Sequence, residues 1–291
     1  MPSVSVIIPA YNAATRYIEQ AIGSVLAQSY HGYEIIVVDD ASTDGTGLLI
    51  SRFPQIRYYR RGENGGQAAA RNDGAKIAAG EFLAFLDQDD IWEPTFLQET
   101  LTALLKAPRA AVIHTDGYQV SEHNEILEYD GAIKSTDSIT QMLRGGHDVA
   151  TSGSLFRKMC FEKVGGYDAE LRVWEDIDLA IRLSQQYEIL HLPSPLYRHR
   201  LYGRNISREI PSEAALAGRR RFLEKHASAC PSGSNLSKAL ARDWAHFYGD
   251  LGKARLRQGD RPGARQAFWQ GLRSKPFDRK LLLRLLRSYL G

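Results

Sequence analysis

The sequence predicts an α/β protein with a mainly parallel sheet, and two observations carry that prediction. Short apolar runs rich in β-branched residues alternate with helix-like segments through the first part of the chain, and the runs are apolar at nearly every position. Strands of that kind are typical of a parallel sheet covered by helices on both faces. The chain of 291 residues, 43% hydrophobic and 24% charged, is long enough to bury such a core.

Taken in order, the apolar runs predict five strands, at residues 4–8, 34–38, 56–59, 82–86 and 110–114. Four segments with helical character separate them, at about 15–28, 44–52, 66–79 and 94–106. The pattern is less regular over about 115–200 and becomes helical after Pro211. We therefore predict a first domain over residues 1–210 and a helical C-terminal extension over residues 211–291.

Polar groups follow three of the predicted strands, at Pro9–Asn12, Asp39–Asp44 and Asp87–Asp90. In open parallel sheets, ligands bind beyond the carboxyl ends of the strands. We expect these three groups to converge on one edge of the sheet.

Three carboxylates, Asp87, Asp89 and Asp90, stand directly after the apolar run FLAFL. One aspartate ahead of Glu93 and Pro94 would be enough to cap a helix, and three close together repel one another unless a cation lies among them. A hard divalent ion, Mg²⁺ or Mn²⁺, held by carboxylates and phosphate oxygens meets that need. Helix capping is the alternative, and we retain it for Asp90.

The acidic pair in VVDDASTDGT is compatible with a simple turn before a helix or with a carboxylate that accepts a nucleobase N–H. In NGGQAAARNDGAK, glycines open a helix whose N-terminus favours anions. Arg71 stands one turn into that helix, where it could reach a nucleotide or pair with surface carboxylates. The segment is neither a G-x-G-x-x-G nor a P-loop motif, which disfavours a Rossmann oxidoreductase and a P-loop NTPase.

The segment RVWEDIDLAIRL places Glu175, Asp176 and Asp178 at the start of a helix. Acids in a first turn are favourable for the helix dipole. Asp176, in a cleft, could instead be a general base.

Together, VSVIIPAYN, VVDDASTDGT, ENGGQAAARNDGAKIAAGEFLAFLDQDD and RVWEDIDLAIRL, followed by PLYRHR, resemble the family 2 glycosyltransferases with the GT-A fold. The resemblance covers roughly residues 3–207. It implies an inverting, metal-dependent transfer of sugar from a nucleotide-sugar donor, with UDP as the expected nucleotide. The implied acceptor is a hydroxyl of a glycan or lipid-linked molecule in cell-surface polysaccharide biosynthesis.

The resemblance also implies a role for each matching residue. Pro9, Tyr11 and Asn12 would pack on the nucleotide base, Asp40 would read the base edge, and Arg71 would lie on the nucleotide side. Asp89 would hold Mn²⁺ or Mg²⁺, and Asp87 would face the ribose or the metal. Asp176 would be the catalytic base, with Trp174 and Glu175 shaping the acceptor pocket.

One position departs from the family pattern. Members often carry a histidine where this chain has Tyr202, which puts a histidine contribution to the site in doubt. His199 lies close by in the sequence, and we expect it to pack or to face solvent.

Residues 248–278 resemble a single tetratricopeptide-type helix pair. From Lys253 onward the chain holds eleven Lys and Arg residues against only Asp260 and Asp278, so this end is basic. The final segment DRKLLLRLLRSYLG predicts a capping helix buried on its leucine side. The alternative is an anchor for peripheral association with the anionic inner membrane.

No apolar run reaches the length of a membrane-spanning helix, and the N-terminus lacks the pattern of a secretory leader. We therefore expect a cytoplasmic protein, with no nucleic-acid partner and at most a peripheral location on the cytoplasmic face of the membrane. Two other classes stay open. A sugar-phosphate nucleotidyltransferase would need a glycine-rich basic loop after the first strand, where PAYNAATR stands. A non-catalytic interaction protein would act through its helical tail and would not need Asp89 and Asp176 together.

Overall fold

The computed structural model describes residues 3–131, 150–171, 173–201, 213–229 and 235–290. Contacts divide the described residues into two compact units. The first unit contains 3–131, 150–169 and 175–201, and the second contains 170–171, 173–174, 213–229 and 235–290. Residues 170–171 and 173–174 thus lie inside the predicted first domain but group with the helical unit.

The first unit contains nine described strands: β1 (Val4–Ala10), β2 (Tyr33–Asp39), β3 (Ile56–Arg60), β4 (Phe82–Phe85), β5 (Ile91–Trp92), β6 (Ala110–Val120), β7 (Ile126–Asp130), β8 (Ser154–Arg157) and β9 (Glu188–Arg200). Its described helices are α1 (Arg16–Leu26), α2 (Thr46–Ile50), α3 (Gln67–Ile77), α4 (Phe96–Leu105), α5 (Lys158–Lys163) and α6 (Glu175–Ser184). All five predicted strands and all four predicted helices are present, and the α/β fold class is confirmed.

The strands form one mixed sheet in the order β3-β2-β1-β4-β8-β6-β9-β5, with β7 paired to β6. The first four strands in this order are parallel, as predicted. β8 is antiparallel to both β4 and β6, so it separates the fifth predicted strand from the parallel group. β8 has the sequence SLFR, with only two apolar residues, and this gives no apolar run that could be recognised in the sequence.

β1 lies in the middle of the parallel group and is buried at all seven positions, which explains why it is apolar at almost every position. Helix α3 packs closely on it, because a Cβ at Gly74 would collide with the Ile7 side chain. Only glycine allows this close approach. The close contact sets the height of α3 over the sheet and therefore the position of Arg71 in the middle of that helix.

β9 is a thirteen-residue strand that sequence reasoning did not predict. It contains Pro193 and Pro195, which are unusual inside a strand, and its pairing with β6 is interrupted by register shifts. Its far end pairs His199 with Gln119 of β6 and Arg198 with Ile91 of β5. The end of β9 therefore lies beside the segment that follows β4.

The described helices of the second unit are α7 (Glu213–Ala229), α8 (Asn235–Arg257), α9 (Arg261–Ser274) and α10 (Arg279–Leu290). The Asp260 side chain caps α9 by accepting the Gly263 N–H at 2.9 Å. Gly252 of α8 lies against Phe268 of α9, where a Cβ would collide with the buried ring. The predicted helix pair over 248–278 is present, and its relation to tetratricopeptide repeats remains a prediction. None of the described helices has the length and apolar content needed to span a bilayer.

Candidate active site

The loops after β1, β2 and β4 meet at one edge of the sheet. The Tyr11 N–H donates to the Gln88 side chain at 2.9 Å, and the Asn12 N–H donates to the Ser42 hydroxyl at 2.9 Å. The Thr43 N–H in turn donates to the Asn12 side chain at 2.9 Å. The predicted convergence of the three polar groups is confirmed.

Pro9, Tyr11 and Asn12, predicted to pack on the nucleotide base, differ in exposure. Pro9 is buried inside β1, whereas Tyr11 is 47% exposed and Asn12 is exposed. Asn12 has a positive φ of 48°, a conformation that asparagine tolerates better than most residues. Tyr11 is the side chain of this segment that offers an aromatic face at the site.

Asp40, predicted to read the base edge, is almost completely buried. Its carboxylate accepts the N–H groups of Gly65 and Gly66, at 2.9 and 2.7 Å, and pairs with the Arg61 guanidinium. The anion that the sequence predicts near the N-terminus of α3 is thus supplied within the chain, by Asp40. A carboxylate has about four lone-pair positions, so one acceptor direction is left over.

Arg71, predicted on the nucleotide side, is only 1% exposed and connects two of the predicted motifs. Its Nη2 donates to an Asp87 oxygen at 2.6 Å, and its Nη1 donates to a Glu175 oxygen at 2.9 Å. Gln67 accepts a further bond from Nη2 at 3.1 Å, and the guanidinium lies 5.3 Å from the centre of the Tyr167 ring. Arg71 therefore joins the D-x-D segment to the start of α6.

Burial and charge shift the pKa values of this cluster. Burial and the neighbouring Asp176 charge raise the pKa of Glu175 to about 7, and Arg71 opposes that change. Burial alone would lower the pKa of Arg71, but Asp87, Tyr167 and Glu175 raise it, so the guanidinium stays charged. Arg71 is a permanent cation in contact with two carboxylates.

Of the three acids at the start of α6, two are paired with arginines. Glu175 pairs with Arg71, and buried Asp178 pairs with Arg182 at 2.7 Å. Arg182 also donates to backbone carbonyls of the preceding loop, so it is fixed in place. Among the described residues, no cation forms an ion pair with Asp176 at salt-bridge distance, and Asp176 is half-buried.

Asp176 has the electrostatic properties of a base. Burial raises its pKa, the Ile177 N–H and Arg71 oppose the shift, and the Asp87 charge raises it further. A raised pKa makes a carboxylate a stronger proton acceptor. Glu175 is buried and pairs with Arg71, and its role in the acceptor pocket remains a prediction.

Asp90 is not a helix cap, and our expectation for it was wrong. Helix α4 begins at Phe96 with Thr95 as its N-cap residue, and Asp90 is 2% exposed. Its carboxylate accepts the Ser152 hydroxyl at 2.6 Å and the Arg200 N–H at 3.1 Å. The same Ser152 oxygen accepts the Asp87 N–H at 3.2 Å, so Asp90 fixes the turn that carries the D-x-D aspartates.

His199 lies beside that turn rather than in solvent. Its Nδ1 is 3.3 Å from an Asp90 oxygen. Burial would lower the pKa of His199, but Asp90, with Asp89 and Asp87, raises it to about 9. The next residue, Arg200, is fully buried and donates from Nε to the Asp89 carbonyl at 2.9 Å. Two consecutive residues of β9 therefore hold the D-x-D turn.

The carboxylates of the D-x-D turn suit a metal ion whose coordination is completed by the substrate. Within the described part of the chain, no group of three or more His, Cys, Asp or Glu side chains could hold an ion by itself. Mg²⁺ at nucleotide sites uses one or two carboxylates and takes its remaining ligands from phosphate and water. Half-buried Asp89 and the Asp87 oxygen that is not bonded to Arg71 suit that pattern.

Trp174, predicted in the acceptor pocket, belongs to the second unit and has a positive φ of 65°. Its ring packs edge-on against Phe222 at 5.1 Å and lies under the Arg219 guanidinium at 4.6 Å. Tyr202 lies outside the described residues. The acceptor role of Trp174 remains a prediction.

Sequence reasoning missed Ser152, Tyr167 and Arg200 as parts of this site. Each acts through partners that are far away in the sequence. Of the three, only Arg200 lies in one of the segments that carry the family resemblance, at the end of PLYRHR. The run of small polar residues at 151–154 was the available signal for Ser152.

The Glycosyl transferase family 2 profile matches residues 5–165. The putative teichuronic acid biosynthesis glycosyltransferase TuaG of Bacillus subtilis is 37% identical over 150 residues, which are 46% of this chain and 58% of TuaG. An uncharacterized glycosyltransferase of Rickettsia felis is 32% identical over 219 residues, 72% of this chain and 36% of that protein. This chain therefore spans only part of the length of these relatives.

Among solved structures, S. aureus TarS 1–349 in complex with UDP-GlcNAc aligns with a TM-score of 0.70 at 19% identity. The alignment covers 99% of this chain and 89% of that one, and it supports the GT-A fold. The family match spans more than half of the chain and includes the strand ends described above. The chain belongs to glycosyl transferase family 2.

Proposed function

We propose that this chain is an inverting, metal-dependent glycosyltransferase that moves a sugar from a UDP-sugar to a hydroxyl of a glycan or lipid-linked acceptor. The observation that carries the proposal is the Arg71 bridge. It brings Asp87, at the strand ends, together with the helix start that bears Asp176. A donor site and a proton acceptor on one cluster are what a single-displacement transfer requires.

In this proposal Asp176 accepts the proton of the acceptor hydroxyl as that oxygen attacks the anomeric carbon. One carboxylate opposite the leaving group gives direct displacement with inversion. The raised pKa of Asp176 and its lack of an ion-pair partner among the described residues support this role.

For the nucleotide, Tyr11 offers an aromatic face for the base, and Asn12 lies beside it. Asp40 would accept the base N–H through its remaining lone pair. The UDP-GlcNAc complex of the structurally similar TarS supports a UDP-linked donor.

Mn²⁺ or Mg²⁺ would be held by Asp89 and Asp87, where it would stabilise the charge that develops on the departing diphosphate. The chain itself adds positive charge at this turn, because His199 is protonated at neutral pH beside Asp90. Ser152 and Arg200 keep the turn in place.

The names of two relatives support a polysaccharide acceptor. TuaG is described as a putative teichuronic acid biosynthesis enzyme, and a chondroitin synthase of Pasteurella multocida is 28% identical over 213 residues. That alignment covers 71% of this chain and 21% of the synthase. We propose that the reaction extends such a polymer or its lipid-linked precursor on the cytoplasmic side of the membrane.

Peripheral membrane association through α10 is part of the proposal. The helix carries three stripes, each with spacing i, i+4, i+7. Leu281, Leu285 and Ser288 are buried against the helical core. Leu282, Leu286 and Tyr289 form an exposed apolar stripe on one side of them, and Lys280, Arg284 and Arg287 form a basic stripe on the other side. Burial in the core therefore accounts for only one of the two apolar stripes, and an exposed apolar stripe on a basic helix suits an anionic bilayer.

A panel experiment tests the function. Thermal stability would be measured with UDP-, GDP- and ADP-linked sugars, with and without Mn²⁺, and the stabilising donor would then be used in a UDP-release assay with glycan acceptors. We expect stabilisation by a UDP-sugar and faster UDP release with an acceptor. Pyrophosphate release from UTP and a sugar 1-phosphate would instead indicate a nucleotidyltransferase, and no response to any nucleotide would indicate a non-catalytic protein.

A further inference from the structure

We infer that Arg71 and Glu175 are a positioning pair that holds the catalytic base at a fixed place relative to the donor site, with no direct contact of Glu175 to either substrate. The inference rests on the proposed function and assigns Glu175 a role other than the acceptor-pocket role implied by family resemblance. The geometry that carries it is the pair of hydrogen bonds from one guanidinium, at 2.6 Å to Asp87 and at 2.9 Å to Glu175.

Arg71 itself cannot move far. Its helix lies tightly on β1 at Gly74, as described above. The adjacent Asn72 side chain exchanges two hydrogen bonds with the Tyr167 backbone, at 2.8 and 2.9 Å. Tyr167 in turn lies against the guanidinium. Arg71 is therefore fixed by its own helix and by the loop that carries Tyr167.

Because Glu175 is bound to Arg71, the position of Arg71 also fixes the position of Asp176. Glu175 is the first residue of α6 and is 5% exposed, and Asp176 is the next residue. Asp178, one turn further along the same helix, is also held, because its carboxylate binds Arg182. Two buried ion pairs thus flank Asp176 in sequence and leave it little freedom to move.

The Arg71–Glu175 pair also affects the ionisation of the carboxyl groups at the start of α6. Among the described residues, the titratable and charged groups that face Asp176 are Arg71 from α3, Asp87 from the D-x-D turn, Tyr167 from the loop before α6, and Glu175 beside it. Burial and the Asp176 charge disfavour ionisation of Glu175, whose pKa is raised to about 7, and the Arg71 charge favours ionisation of both carboxyl groups. The two carboxyl groups should therefore titrate in two steps, and the step near pH 7 should be lost when Glu175 cannot ionise.

Glu175→Gln is the test, because it removes the charge and keeps the shape and an acceptor oxygen. We expect the affinity for UDP with Mn²⁺, measured by calorimetry, to stay within about twofold of the wild type, while kcat for UDP release from UDP-GlcNAc falls by about tenfold or more. Any change in kcat near pH 7 that follows the ionisation of Glu175 should be lost in this variant. Glu162→Gln, an exposed carboxylate in the same unit, is the matched control and should change neither quantity.

A second measurement separates this inference from the proposed function. The Asp176 carboxyl carbon, labelled and assigned by its loss in Asp176→Asn, would be titrated by NMR in the wild type and in both glutamine variants. A second step near pH 7 in the wild-type signal that is absent in Glu175→Gln supports the pair even if UDP-GlcNAc is not turned over, which would count against the proposed function. An unchanged titration curve together with an unchanged kcat would overturn the inference. A loss of activity confined to KM for the acceptor would also overturn it, because it would place Glu175 in the acceptor pocket.

Discussion

Arg71 and Glu175 are 104 positions apart in the chain and meet through a hydrogen bond of 2.9 Å in the interior of the first unit. The same guanidinium holds Asp87. Two motifs that look independent in the sequence, D-x-D and the acidic start of α6, are therefore joined by one buried cation. Buried cations of this kind are retained only where their partners are well placed, because an unpaired buried charge is very costly.

Asp176→Asn should abolish transfer and leave nucleotide binding intact. The amide cannot accept the hydroxyl proton, and removal of a base typically costs 10² to 10⁴-fold in rate, so we expect at least about a hundredfold loss in kcat. UDP affinity, measured by calorimetry, should change by less than about twofold. The exposed Glu81→Gln variant is a matched carboxylate-to-amide control. Turnover at the wild-type rate in Asp176→Asn would remove Asp176 from the role of base.

Metal removal should stop turnover without unfolding the protein. EDTA should reduce UDP release to background, and added Mn²⁺ should restore it, because the carboxylates supply only part of the coordination and the diphosphate the rest. The midpoint of thermal unfolding without nucleotide should be the same in EDTA. Asp89→Asn should raise the Mn²⁺ concentration required for half-maximal rate. Activity that persists in EDTA would contradict the assignment of Asp89.

Asp90→Asn should destabilise the first unit more than a change at a true helix cap. Asp90 is buried and accepts bonds from Ser152 and from the Arg200 N–H, beside His199, so an amide there introduces a donor that faces other donors. We expect a loss of about 2–4 kcal/mol in the free energy of unfolding. Asp260→Asn is the matched control, because Asp260 caps α9 and asparagine caps about as well. Equal and small effects in chemical denaturation would restore the capping role of Asp90.

His114 should make the protein less stable in mild acid. It is 6% exposed, its ring stacks on His191 at 4.9 Å, and burial followed by the His191 charge lowers its pKa to about 4, against the opposing effect of Asp116. The unfolded chain, with an ordinary pKa, binds more protons between about pH 6.5 and 4, so stability from this group is present above pH 6.5 and is lost as pH falls. The loss between pH 7 and 5 should be about 2 kcal/mol.

His114→Phe keeps an aromatic ring in the stack and removes the titrating group, so its stability should depend less on pH over that range. Urea unfolding at several pH values would measure this. His123→Phe, at an exposed histidine, should keep the wild-type dependence of the free energy of unfolding on pH. If His114→Phe also leaves that pH dependence unchanged, another group is responsible for it.

Binding to anionic vesicles should depend on the exposed leucines of α10. Replacement of Leu282 and Leu286 by Gln removes the apolar stripe and leaves the buried stripe intact. We expect about a tenfold or greater loss in partitioning to vesicles that contain phosphatidylglycerol, since apolar contact adds to the attraction of the basic stripe. The double variant Leu48→Gln, Leu105→Gln, at exposed leucines of the first unit, is the matched control. Equal sedimentation of both variants would exclude membrane contact through this stripe.

The parallel half of the sheet could be predicted because its strands are buried on both faces. The run 4–8 is apolar at almost every position since β1 lies between two strands and beneath α3. By contrast, β8 has only two apolar residues, and β9 is interrupted by Pro193 and Pro195, so neither produces a regular period. Periodicity therefore did not reveal these two strands, although it did reveal β6, with which both of them pair.

The candidate site, like the sheet, could be predicted from the sequence only in part. The sequence by itself determined which residue types stand at the strand ends and at the start of α6, because local motifs record them. Only the tertiary structure decided their partners. Asp40 accepts backbone N–H groups of the glycine loop, and Asp90 accepts the Arg200 N–H at the end of β9. Arg71 pairs with Asp87 and Glu175. The physical reason is that burial and ion pairing are fixed by groups brought together across long sequence separations, and no local pattern encodes which of several acids is left without a partner cation.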